Sequence, residues 1–85
     1  KGVGMFAKLF GEDSSQILVK IDDGDNGPEV RLYFEPEGLG VCSLALEFTD
    51  EDKDVAWNKA EKAFDIMTYE KASSYVESVK KKMGV

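Results

Sequence analysis

The sequence contains no histidine and one cysteine among its 85 residues. Without an imidazole the chain can form no Ser-His-Asp or Cys-His catalytic group and no histidine-containing metal site. A single thiol also excludes a four-thiolate zinc site and an internal disulfide. We therefore expect a fold that depends on packing alone and a function outside the usual hydrolytic and zinc chemistries.

Long apolar runs are missing as well. No stretch approaches the roughly 20 apolar residues that span a bilayer, and no signal-peptide pattern opens the chain. The lone cysteine is compatible with a reducing compartment. These features predict a cytoplasmic protein with no membrane contact, and the length favours a single compact domain over residues 1–85.

What the chain does contain is a clear change of hydrophobic period. Apolar and polar residues alternate over residues 16–21, 29–35 and 41–48, which is the pattern of half-buried strands. Glycine, asparagine and proline mark turns at residues 22–28 and 35–40. The three strands therefore predict an antiparallel meander.

From Thr49 onward the period becomes helical. Thr49 is the predicted N-cap of a first helix, Thr68 caps a second, and Gly84 ends it. Apolar residues at helical spacing in residues 1–10 predict a short N-terminal helix that covers the outer face of the sheet. The predicted fold is α+β, with a three-stranded antiparallel meander sheet packed by two C-terminal helices.

The distribution of charge is the least ordinary feature. The formal net charge is −6, and residues 12–54 hold 13 acidic residues against three basic ones. Such a surface repels nucleic acid and anionic lipids, so we expect neither as a direct ligand. It favours a protein with a basic surface, such as one that itself binds nucleic acid. The alternative is that the acids only confer solubility.

The predicted binding residues come from the turns and from the start of the first long helix. Tyr33 adds an aromatic anchor on the outer face of the sheet, since tyrosine is enriched at interface hot spots. The acidic members of the predicted site are Asp22, Asp23, Asp25, Glu35, Glu37, Asp50, Glu51, Asp52 and Asp54.

Other chemistries fit the sequence less well. The aspartates at residues 22–25 lack the EF-hand pattern, because Gly24 would occupy the third ligand position and Tyr33 the twelfth. Cys42 falls on the inward register of its strand, which indicates a core residue without a nucleophilic role. We expect no metal, no cofactor and no catalytic residue.

The resulting hypothesis is a small, acidic, non-catalytic interaction module that acts as an inhibitor or nucleic-acid mimic. A structural subunit that self-associates, for example as a homodimer through an open sheet edge, is the alternative. A small enzyme that uses paired carboxylates is the third.

Overall fold

The computed structural model describes residues 7–85 as four strands and two helices. The strands are β1 (Ala7–Phe10), β2 (Ile17–Gly24), β3 (Gly27–Phe34) and β4 (Cys42–Glu47). The helices are α1 (Lys53–Asp65) and α2 (Tyr69–Met83). The strands form one antiparallel sheet in the order β1-β2-β3-β4, so β1 and β4 are its edges.

The predicted α+β class, the antiparallel sheet and the two C-terminal helices are confirmed. The strand number and the N-terminal helix were wrong. Residues 7–10 form edge strand β1, and a single 3-10 turn at Asp13–Ser15 is the helical structure described before β2. The rest of the predicted helix, residues 1–6, lies outside the described residues. Pairing with β2 satisfies backbone groups that a very short helix would leave open, which explains the strand.

The hairpin between β2 and β3 is tighter than predicted. Both strands continue into the segment predicted as a turn, and the final pair is Gly24 with Gly27. The connection is therefore the two residues Asp25 and Asn26, the commonest length for a hairpin loop. Asp22 and Asp23 belong to β2 and carry their charges on a paired strand.

The core lies between the inner face of the sheet and the two helices. Val19, Val30 and Leu32 are fully buried at its centre. Ala60 of α1 and Ala72 of α2 are also fully buried, and their small side chains let both helices approach the sheet closely. The remaining buried apolar residues of this core are Ile17, Ile21, Phe34, Phe64, Met67 and Val76. Cys42 is partly buried against the core.

Both helices begin at side-chain caps. The Thr68 hydroxyl accepts a hydrogen bond from the Lys71 backbone N–H at 3.2 Å, which confirms the predicted cap of α2. The cap of α1 is Asp52, so the predicted cap at Thr49 was wrong. The Asp50 carboxylate accepts a hydrogen bond from the Asp52 N–H. This bond closes a turn before α1, so the helix starts after Asp52 and not after Thr49. Neither helix of residues 7–85 is long and apolar enough to cross a membrane.

Candidate functional site

Two acidic segments that are distant in sequence meet at one end of the molecule. The Phe48 N–H donates to the Pro28 carbonyl at 3.1 Å, which holds the connection from β4 to α1 against the β2–β3 hairpin. We call the resulting surface the acidic end. It consists of Asp22, Asp23, Asp25, Asp50, Glu51, Asp52 and Asp54.

Some carboxylates of the acidic end also serve the fold. The Asp50 carboxylate accepts the Asp52 N–H at 3.0 Å and pairs with the Lys59 ammonium at 3.3 Å. These two contacts, the backbone one first, lower the pKa of Asp50. Asp52 accepts the Asp54 N–H at 2.9 Å as the N-cap of α1. Two of the predicted binding residues therefore have a structural role as well.

The other carboxylates of the acidic end project their charge into solvent. Asp23, Asp25, Glu51 and Asp54 are exposed, and within residues 7–85 their carboxylates have no ion pair or hydrogen bond with another side chain. Within residues 7–85 the fold therefore leaves these four charges unpaired.

Glu35 and Glu37 lie away from the acidic end. Both follow β3, which starts at Gly27 beside the hairpin and ends at Phe34. Eight strand residues span about 25 Å at 3.3 Å per residue, so the two glutamates stand at the opposite end of the sheet. The ten predicted binding residues therefore do not form one continuous surface.

The outer face of the sheet carries its side chains in three rows, which the strand register defines. The rows are about 6.7 Å apart because same-face residues alternate along each strand. The acidic row is Asp22, Glu29 and Glu47. The basic row is Lys20 and Arg31, flanked by Ala7 and Ala45. The apolar row is Leu9, Leu18 and Tyr33, ending at Ser43.

Glu29 is a residue that the sequence analysis missed. It is 6% exposed, and its carboxylate accepts from Arg31 Nε at 2.8 Å. Arg31 Nη1 donates to Ser43 Oγ at 3.0 Å, so the pair is tied to β4. The hydrogen bond with Glu29 raises the pKa of Arg31, while desolvation opposes the shift. Gly24 was the available signal, since its missing side chain leaves the space that Glu29 occupies.

An open groove of about 930 Å³ lies at the end of the outer face opposite the acidic end. Leu9, Leu18, Tyr33, Glu35 and Val41 contribute to its lining. Leu9 is 60% exposed and Val41 is 70% exposed. Both helices pack on the inner face of the sheet, although Lys80 of α2 contributes to the lining of the groove together with Asp13 and Ser14.

The structure offers little for metal or thiol chemistry. In the described part of the chain, no three His, Cys, Asp or Glu side chains are grouped to hold a metal ion. Cys42 is a free, partly buried thiol whose sulfur contacts the Gly40 carbonyl at 3.8 Å. Within residues 7–85, the surface presents negative charge at one end of the molecule and a mixed polar and apolar outer face on the sheet.

Comparison with protein-family models, with curated proteins and with solved structures finds no match for this chain. The function is therefore argued from the geometry.

Proposed function

We propose that the protein is a small, non-catalytic binding module that docks its acidic end on the basic surface of a partner protein. The partner of matching chemistry is a nucleic-acid-binding protein, whose phosphate-binding surface is rich in lysine and arginine. Occupying that surface would make this chain an inhibitor or nucleic-acid mimic. A cytoplasmic location, compatible with the free Cys42, is part of the proposal.

The observation that carries the proposal is the meeting of the hairpin and the β4–α1 connection. The contact from Phe48 to Pro28 joins two segments that each bring several carboxylates. Because one segment is a paired hairpin and the other a capped helix start, the backbone that carries the charges is held at defined positions. Fixed charges of one sign steer association and select a complementary partner better than mobile ones do.

Local cations do not cancel this field. Lys59 neutralises Asp50, and Lys53 lies in the first turn of α1. Four exposed carboxylates remain without a partner in the described residues, and the exposed Glu47 extends the negative charge onto the sheet. The acidic end therefore keeps a net negative charge that can attract a basic surface of a partner protein.

The test compares two variants that change the net charge equally. The first neutralises the unpaired carboxylates of the acidic end: Asp23→Asn, Asp25→Asn, Glu51→Gln and Asp54→Asn. The control neutralises four acids elsewhere: Glu37→Gln, Asp65→Asn, Glu70→Gln and Glu77→Gln. Each is immobilised and used to capture proteins from host lysate at low salt, and a captured nucleic-acid-binding protein is then purified for titration.

We expect the wild type and the control to bind the purified partner with similar affinity, and the acidic-end variant to bind at least tenfold more weakly. Duplex nucleic acid should compete, and affinity should fall steeply as salt rises, because surface charges are screened. Equal binding by the two variants, or a complex insensitive to salt and to nucleic acid, would contradict the proposal.

A further inference from the structure

The outer face of the sheet suggests a use that is independent of the acidic end. Its apolar row includes the exposed Leu9, and the strongly exposed Val41 borders the same groove. In residues 7–85 both helices pack on the opposite, inner face of the sheet. We infer that this face is the contact between two copies of the chain, packed sheet against sheet.

The order of the rows selects one arrangement of the two copies. Consider a two-fold axis that lies between the sheets and runs across the strands along the apolar row. The apolar rows then face each other. This axis reverses the strand direction between the two copies. The basic row lies on one side of the apolar row, and it therefore faces the row that lies on the other side of the apolar row in the second copy. Gln16 and Glu35 lie one residue beyond the ends of β2 and β3 and line the groove together with Leu18 and Tyr33, so the alternation along the two strands assigns them to that row.

This arrangement gives complementary charges. Arg31 of one copy faces Glu35 of the other, and Lys20 lies one strand to the side of that glutamate. Aligned sheets cross at about 30°, which brings a long lysine side chain within reach of the neighbouring strand. The symmetry produces each contact twice. Lys20 has no ion pair with another described residue, so its ammonium is free to make it.

Other two-fold axes would place like charges opposite each other. A two-fold axis parallel to the strands would place the acidic row against the same row of the other copy. Asp22, Glu29 and Glu47 would then face like charges across the interface, which is destabilising. An axis along the basic row would likewise place Lys20 and Arg31 on themselves. The row order therefore favours the axis along the apolar row.

The size of the face predicts a weak, reversible dimer. Four strands at about 4.8 Å spacing and six to eight residues at about 3.3 Å cover roughly 400 Å² on each copy. That is at or below the low end for specific interfaces, which is typical of transient complexes. We expect dissociation in the micromolar range.

The test uses two single charge reversals, Lys20→Glu and Glu35→Lys, followed by sedimentation velocity from low micromolar to millimolar protein. Lys20→Glu places two like-charged contacts in its own homodimer, and Glu35→Lys places four because Arg31 also faces position 35; we expect each to weaken dimerisation by at least tenfold. In a mixture of the two variants, the heterodimer has three attractive contacts and one repulsive contact, which is between Arg31 of the Lys20→Glu copy and position 35 of the Glu35→Lys copy. Mixing should therefore give stronger association than either variant shows alone, and weaker association than the wild type.

Recovery on mixing separates a lost interface from a damaged fold, since an unfolded variant would not be rescued. Glu70→Lys, a charge reversal at an exposed residue in the first turn of α2, is the control and should leave the dimer unchanged. A wild type that stays monomeric at millimolar concentration overturns the inference. So does a dimer that tolerates both reversals, which would point to pairing through an open edge strand, or a mixture that fails to associate.

Discussion

The ammonium of Lys8 lies 4.8 Å from the centre of the Phe64 ring and donates a hydrogen bond to the Phe64 carbonyl at 2.7 Å. It also donates to the Asp65 carbonyl at 3.1 Å. Lys8 belongs to edge strand β1, and Phe64 is in the last turn of α1. One side chain therefore supplies a cation to the carbonyl end of the helix and connects it to the edge of the sheet.

Replacing this lysine should reveal that connection. We expect Lys8→Met to lower the free energy of unfolding by about 1–2 kcal/mol, because a charge-assisted hydrogen bond and a helix-dipole contact are both lost. Lys62→Met is the matched control, since Lys62 is in the same last turn of α1 but is exposed. Urea unfolding measures both. A loss for Lys62→Met equal to that for Lys8→Met would contradict the assignment.

Gly24 and Glu29 should be energetically coupled. A Cβ atom on Gly24 would lie 2.5 Å from Glu29 Oε1 and 2.9 Å from Glu29 Cδ, so the buried carboxylate would have to move. We expect Gly24→Ala to cost about 1–3 kcal/mol in wild type, from strain and disturbance of the pair with Arg31. In a Glu29→Ala background the same change should cost less by about 1 kcal/mol or more. Additive losses in the double-mutant cycle would show that the two residues do not interact.

Two threonines test where the helices begin. Thr68→Ala removes the bond from the Lys71 N–H and should cost about 1 kcal/mol of stability, as loss of an N-cap does. Thr49→Ala should be close to neutral, because α1 is capped by Asp52 instead. Thermal and urea unfolding of both variants check this. A larger loss of stability for Thr49→Ala than for Thr68→Ala would show that Thr49 caps α1.

Stability should depend on pH through Asp50. Its pKa is lowered in the folded protein, so the unfolded state binds this proton more tightly. The contribution of Asp50 is therefore complete above the ordinary aspartate pKa and is lost as the pH falls through the lower folded value. We expect the stability difference between wild type and Asp50→Ala to be constant near neutral pH and to shrink between about pH 5 and pH 2.

The measurement is urea unfolding of wild type and Asp50→Ala across that pH range. Asp23→Ala is the comparison, since it removes an exposed carboxylate that has no hydrogen bond to another side chain in residues 7–85. A difference between wild type and Asp50→Ala that does not change with pH would contradict the role of Asp50.

Residue patterns were a good guide wherever one local interaction dominates. The alternation of Ile17, Val19 and Ile21 places a strand because one face must be buried, and Thr68 marks a helix start because its hydroxyl can reach a free backbone N–H. Residues 7–10 misled the prediction because Leu9 and Phe10 fit a helical spacing as well as a strand. Their state depends on the open edge of β2, which lies in another part of the chain.

The candidate site divides in the same way. The excess of acids between residues 12 and 54, and the assignment of Tyr33, Lys20 and Arg31 to one sheet face, follow from composition and from the two-residue period of a strand. Which of these side chains lie close together does not follow from composition or from the strand period. The β3 strand separates Glu35 from Asp25 by its whole length, and the burial of Glu29 depends on the absent side chain of Gly24 on the paired strand.

The sequence by itself determined the α+β class, the two helices, the inward face of each long strand and the strongly acidic middle of the chain, because these depend on residue type and short-range spacing. The tertiary structure decided that residues 7–10 extend the sheet, that the carboxylates separate into two ends, and that neither helix packs on the outer face. Those outcomes require contacts between distant segments, such as Phe48 with Pro28 and Lys8 with Phe64, which no local pattern encodes.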